Sequence, residues 1–111
     1  MINITITYVG EFISTIEVCG HSGYAVEGSD IVCAGVSTLT QNCEKGLKEL
    51  LGIKTKYVID TKKPYLSITL PNSLTEGERH DANVLLDSTV LGLYDLKDSY
   101  QKYITIKEKR K

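Results

Sequence analysis

Residues 2–8, INITITY, alternate strictly, with Ile2, Ile4, Ile6 and Tyr8 on one side and Asn3, Thr5 and Thr7 on the other. Side chains along a strand point to opposite faces in turn, so this period of two predicts a half-buried β-strand. Gly10 marks a turn, and FISTIEVC follows with Phe12, Ile16 and Val18 sharing a face. Residues 2–19 therefore read as a hairpin. At Ile31 the period changes to that of a helix: Val32, Val36, Leu39, Cys43, Leu47 and Leu50 form one stripe, Asp30 is the natural N-cap, and Gly52 marks the end.

The same switch then repeats. TKYVID and YLSITL predict a second hairpin joined through TKKP, whose lysines and Pro64 suit a turn. Ser73 and Glu76 have capping-box spacing and open a long amphipathic helix carrying Ala82, Leu85, Leu86, Thr89, Leu93, Leu96 and Tyr100 on its stripe. YITIK closes the chain as a strand. The expected fold is α+β, a single domain spanning residues 1–111 in the order ββαββαβ, with an antiparallel or mixed sheet and two amphipathic helices. The two ββα units are of similar length, which allows a loose structural repeat.

Composition narrows the function classes. Hydrophobic residues at 41% and charged residues at 24% describe a soluble globular chain with an aliphatic core, since there is no Trp and one Phe. Thirteen basic and fourteen acidic residues leave a net charge of −1, so no overall field draws the protein to nucleic acid or a membrane. The short basic tail KEKRK reads as a solvated end. No apolar run approaches the ~20 residues that span a bilayer, and MINITITYVGEF lacks the pattern of a signal peptide. The expected location is the cytoplasm, where the odd set Cys19, Cys33 and Cys43 implies reduced thiols.

The residues from Gly20 to Gly35, GHSGYAVEGSDIVCAG, carry the chemistry. With Asp30 as N-cap, Cys33 is the third helical residue, where free backbone N–H groups and the positive end of the helix dipole favour a thiolate. It lies at the edge of the apolar stripe, on the side of Ser37 and Glu44, so its sulfur can face a cleft. His21, twelve residues earlier, is placed to fold back over the helix start and take the thiol proton. Asp30 either caps alone or also orients the imidazole. Gly20, Gly23 and Gly28 make the intervening loop permissive enough to admit an extended peptide and close on it, although a sharp strand-to-helix turn would use Gly equally well.

Other thiol and imidazole groups read differently. Cys43 lies within the stripe as a small core residue, and His80 falls opposite the stripe of its helix, toward solvent. Cys19, His21 and Cys33 are acceptable zinc ligands, but the chain has no C-x-x-C pair, and Cys43 lies about 15 Å along the helix axis from Cys33, so no metal or other cofactor is expected.

Gly20–His21, Tyr24, Gly28–x–Asp30, Ile31–Val32, Cys33–Ala34 and Ser37 together resemble the signature of the bacterial ribosomal-processing cysteine protease family. Gly35 stands where a residue such as Ala is more usual, which trims the helix surface beside the cysteine. The resemblance implies a small dimeric endopeptidase that removes a short N-terminal extension from the precursor of large-subunit ribosomal protein twenty-seven. It implies Cys33 as nucleophile and His21 as general base, with Asp30 and Ser37 assisting. The expected mechanism is acyl transfer, with the tetrahedral oxyanion held by N–H groups of the helix start. Tyr24 either lines a peptide groove with the Gly-rich loop or simply packs. A non-catalytic peptide- or ribosome-binding assembly module with the same fold is the alternative, separated from the enzyme by the absence of a fast-alkylating cysteine.

Overall fold

The computed structural model describes residues 1–26 and 30–111. The alternating first run forms β1 (Ile2–Val9), which turns through Gly10 into β2 (Phe12–Cys19). Helix α1 (Ile31–Glu49), strands β3 (Lys56–Asp60) and β4 (Tyr65–Thr69), helix α2 (Glu76–Ser99) and strand β5 (Ile104–Arg110) complete the expected ββαββαβ order. The five strands make one sheet in the order β3-β4-β2-β1-β5, antiparallel except where β5 runs parallel to β1. The expectation of a mixed sheet with two helices holds. Among the described residues no helix is long and apolar enough to cross a membrane.

The sheet's two faces follow from the alternation. Ile2, Ile4, Ile6, Ile16, Leu66, Ile68 and Ile104 lie buried in one core with Val32, Val36, Cys43 and Leu47 of α1 and Ala82, Leu86, Val90 and Leu93 of α2. The other face is polar and cross-linked, with the Thr105 hydroxyl donating to Asn3 Oδ1 at 2.7 Å and the Tyr65 hydroxyl to Glu17 Oε1 at 2.9 Å. Cys43 is a core thiol as expected, and burial pushes its pKa up.

The second strand departs from the simple alternation. Thr7 pairs with Thr15 but Tyr8 pairs with Ile13, so Ser14 is an extra residue in β2, its hydroxyl donating to the Thr7 carbonyl at 3.2 Å. One inserted residue reverses the side-chain parity beyond it. Ile13 is therefore fully buried while Phe12, expected inside, is 37% exposed. Buried Asn83 of α2 accepts the Ile13 N–H at 2.7 Å and ties the bulged strand to the helix.

The helix ends also differ from the periodic expectation. Asp30 caps α1 as predicted, but the chain leaves the helix at Leu50, which is exposed. Gly52, at φ +65°, turns the chain back so that the Ile53 N–H reaches the Leu47 carbonyl, and Ile53 is buried in place of Leu50. Thr40 occupies an interior position of the stripe by donating its hydroxyl to the Val36 carbonyl. For α2 the capping box is Thr75 with Glu78, two residues beyond the expected Ser73 and Glu76. This later start leaves Leu74 outside the helix, packed against the core. The last strand is longer than YITIK: residues 107–110 of the basic tail pair with Thr5–Tyr8.

The helices run antiparallel and interlock through small residues. A Cβ on Gly35 would lie 3.1 Å from a Leu96 methyl, one on Gly92 3.0 Å from Leu39, and one on Gly46 3.2 Å from Leu85. Leucine side chains thus fill glycine notches on both helices. Gly35 is part of the interface between the helices, and the expectation that it merely trims the surface beside Cys33 is corrected.

Candidate active site

The connection from β2 to α1 is shaped by close approach. At Gly20, φ is +92° and a Cβ would sit 2.5 Å from the Met1 carbonyl oxygen, so only glycine fits. Its N–H donates to the Pro64 carbonyl at 2.9 Å, which fixes the start of the loop to the β3–β4 hairpin. Gly23 also has positive φ, at +74°, but in open space. Gly28, part of the expected mobile loop, lies outside the described residues.

Asp30 anchors the far side of the loop. Its Oδ1 accepts from the Val32 and Cys33 N–H groups, each at 3.0 Å, and its Oδ2 accepts from the Ser22 hydroxyl. Burial works against its charge, but hydrogen bonds from the Ser22 side chain and the Cys33 and Ala25 backbone prevail and lower its pKa to about 2. The carboxylate is thus ionised at neutral pH. The Val32 and Cys33 N–H groups at the helix start are thus engaged by the cap. Neither oxygen contacts His21, so the cap is joined to the imidazole only through the loop.

Cys33 is half-buried at the third helical position, and the Ser22 backbone N–H donates to its Sγ at 3.4 Å. It opens onto a cavity of about 660 Å³ that His21, Asp30 and Ser37 also line. Among the described residues no hydrogen bond joins the exposed His21 ring to the sulfur or to any other group. The arrangement places a thiol and an imidazole on one cavity with no hydrogen bond between them.

The opposite wall was not foreseen. Ile59, Asp60, Thr61 and Pro64 reach the cavity from the β3–β4 hairpin, and Val18 and Leu66 add apolar floor. No local signal marks these residues, because their part in the site depends on long-range pairing of the sheet. Ser22 was also missed, since a loop serine carries no spacing signature. Tyr24 packs edge-on against Tyr100 and Tyr103, with ring centroids 5.6 and 5.2 Å apart, and stands outside the cavity wall. Its ring partners are thus two tyrosines of the α2–β5 connection.

The remaining candidates fall apart in space. Cys19 faces the polar side of the sheet in register with Asn3 and Tyr65, and among the described residues no three His, Cys, Asp or Glu side chains cluster as a metal site. His80 is 75% exposed, its Nδ1 3.2 Å from Asp81 Oδ1.

Comparison with known proteins gives a consistent picture. The chain is 26% identical over 94 residues to the ribosomal processing cysteine protease Prp of Bacillus subtilis (strain 168), covering 85% of this chain and 84% of that one. The crystal structure of SMU.848 from Streptococcus mutans superposes with a TM-score of 0.86 at 28% identity, covering 100% of this chain and 96% of the other. An essential ribosomal processing protease Prp from S. aureus, solved with a covalently linked product peptide, shares the fold with a TM-score of 0.88 at 22% identity, over 98% of this chain and 100% of the other. The family model for cysteine protease Prp matches residues 1–105. That match leaves only residues 106–111 outside it, and the chain belongs to the cysteine protease Prp family.

Proposed function

We propose that this protein is a site-specific cysteine endopeptidase that removes the N-terminal extension of large-subunit ribosomal protein twenty-seven during ribosome assembly. The observation that carries the reading is that Cys33, at the start of α1, and His21, on the loop before it, open onto one cavity large enough for an extended peptide. Relatives named for ribosomal processing, one holding a covalently linked product peptide, support it.

In this mechanism the His21 imidazole takes the Cys33 proton, the thiolate attacks the scissile carbonyl, and the amine product leaves with a proton returned by the imidazolium. Water then hydrolyses the thioester. The imidazole reaches the sulfur by turning about its own side-chain torsions, with the backbone on either side held by the Gly20 and Ser22 contacts. Ser37, one turn beyond Cys33 on the same wall, is placed to hydrogen-bond the bound peptide. Apolar substrate side chains fit against Val18, Ile59 and Leu66. The enzyme acts in the cytoplasm as a homodimer.

Incubation of the purified protein with the extended ribosomal precursor, followed by mass spectrometry of the new N-terminus, tests the reading. One new N-terminus, absent with Cys33→Ala, is the expected result. Binding without cleavage, and no cysteine that alkylates faster than the others, would leave only a peptide-binding module. Light scattering on the purified protein tests the dimer.

A further inference from the structure

Ser22 makes a set of contacts that the mechanism above does not use. It is 4% exposed, and its hydroxyl donates to Asp30 Oδ2 while accepting from the Tyr24 N–H at 3.1 Å. Its own N–H donates to Cys33 Sγ. One residue therefore joins the carboxylate that caps α1, the loop that carries His21, and the reacting sulfur. Ser22 itself does not line the cavity, so its side chain is not in the path of a peptide.

Hydrogen bonds to an ionised acceptor are stronger than neutral ones, and an N–H aimed at sulfur is a better partner for S⁻ than for SH. The amide can serve the sulfur only while the loop is seated. What seats it is the Ser22 hydroxyl on Asp30, whose other oxygen is already occupied by the Val32 and Cys33 N–H groups. The adjacent His21 has no side-chain hydrogen bond of its own among the described residues, so its place at the cavity depends on its two neighbours, Gly20 held by the Pro64 carbonyl and Ser22 held by Asp30. Other titratable groups on the cavity are Asp60 and Tyr65. Asp60 Oδ1 is bonded to the Lys62 and Lys63 N–H groups, and the Tyr65 hydroxyl to Glu17. Neither supplies a substitute anchor for the loop.

We infer that Ser22 is a positioning residue for the reaction: its hydroxyl, anchored on Asp30, seats the loop so that the Ser22 amide meets the Cys33 sulfur and His21 is held at the cavity. This rests on the proposed thiol-protease chemistry of Cys33. It also gives Asp30 a definite task, that of loop anchor, in place of direct contact with the imidazole.

The test compares the native protein with Ser22→Ala, Ser22→Thr and Asp30→Asn. Iodoacetamide labelling at pH 7, resolved by peptide mapping into Cys19, Cys33 and Cys43, gives the reactivity of each thiol. Cleavage of the ribosomal precursor gives kcat and KM, and thermal unfolding reports the fold. Ser22→Ala is expected to slow both Cys33 alkylation and kcat roughly 10-fold or more, the scale of one lost charge-assisted hydrogen bond, with KM within about 2-fold. Ser22→Thr, which keeps the hydroxyl, restores most of both rates. Asp30→Asn removes the charge that strengthens the same contact, so combining it with Ser22→Ala adds little further loss, and it serves alone if Ser22→Ala does not fold.

Native rates in folded Ser22→Ala, or a Ser22→Thr variant no better than Ser22→Ala, overturn the inference while leaving the protease intact. So do native rates in folded Asp30→Asn where Ser22→Ala does not fold. A native Cys33 that alkylates no faster than Cys19 overturns the protease reading first, and this one with it.

Discussion

The two helices of this protein begin with the same problem and solve it differently. Each N-terminus presents backbone N–H groups without intrahelical partners. At α2 the solution is local: the Thr75 hydroxyl accepts from the Glu78 N–H at 3.1 Å, and Glu78 Oε1 accepts from the Thr75 N–H at 2.9 Å, all in solvent. At α1 the cap is buried, and the second oxygen of Asp30 reaches back across the loop to Ser22, eight residues earlier. A cap closed on itself stabilises only its helix. A cap with a spare acceptor also positions whatever the acceptor holds, and here that is the loop carrying His21.

The contrast predicts very unequal responses. Cys33→Ala abolishes precursor cleavage with the thermal unfolding curve unchanged, and normal turnover by that variant would remove the nucleophile. His21→Ala lowers kcat/KM by about 100-fold or more, the usual scale of general-base loss, whereas His80→Ala leaves it unaltered. Asp30→Ala loses on the order of 2 kcal/mol of stability by urea denaturation, because a cap goes and the Ser22 hydroxyl loses its acceptor, and Cys33 alkylation slows with it. Thr75→Ala, the matching change at α2, costs about 1 kcal/mol and leaves Cys33 alkylation at the native rate. Equal effects on alkylation from both cap deletions would erase the distinction between the two helix starts.

Acid gives the subtlest separation. Asp30 titrates near 2 in the folded protein against an ordinary 3.8, so the folded state binds fewer protons over that interval. Its contribution is complete above about pH 4 and is lost as the pH falls toward 2. Asp30→Asn should flatten this part of the stability profile in urea titrations between pH 5 and 2. The capping hydrogen bonds also lower the pKa of Glu78, but it is fully exposed, and Glu78→Gln should change the profile less.

How far the sequence reveals these features depends on how local each cause is. INITITY shows its buried face because nothing interrupts the alternation, whereas FISTIEVC misleads because the bulge at Ser14 is set by pairing with β1. Ser73 and Thr75 offer the same capping-box spacing, and packing of Leu74 against the core accompanies the later start. Cys33, His21 and Asp30 are legible because residue type and motif spacing coincide with a helix start. Ser22 is not, because a loop serine carries no spacing signature, and the wall of Ile59, Asp60, Thr61 and Pro64 is not, because it exists only once the sheet has brought the second hairpin beside the first.

Three leucines seated in glycines leave α1 little room to slide or turn against α2. The position of Cys33 is therefore set by contacts distributed along the whole helix pair, while His21 rides on a short segment held at Gly20 by the Pro64 carbonyl and at Ser22 by Asp30. Substitutions that retune what is cut, or how fast, can accumulate in the loop and the second hairpin without moving the sulfur at all.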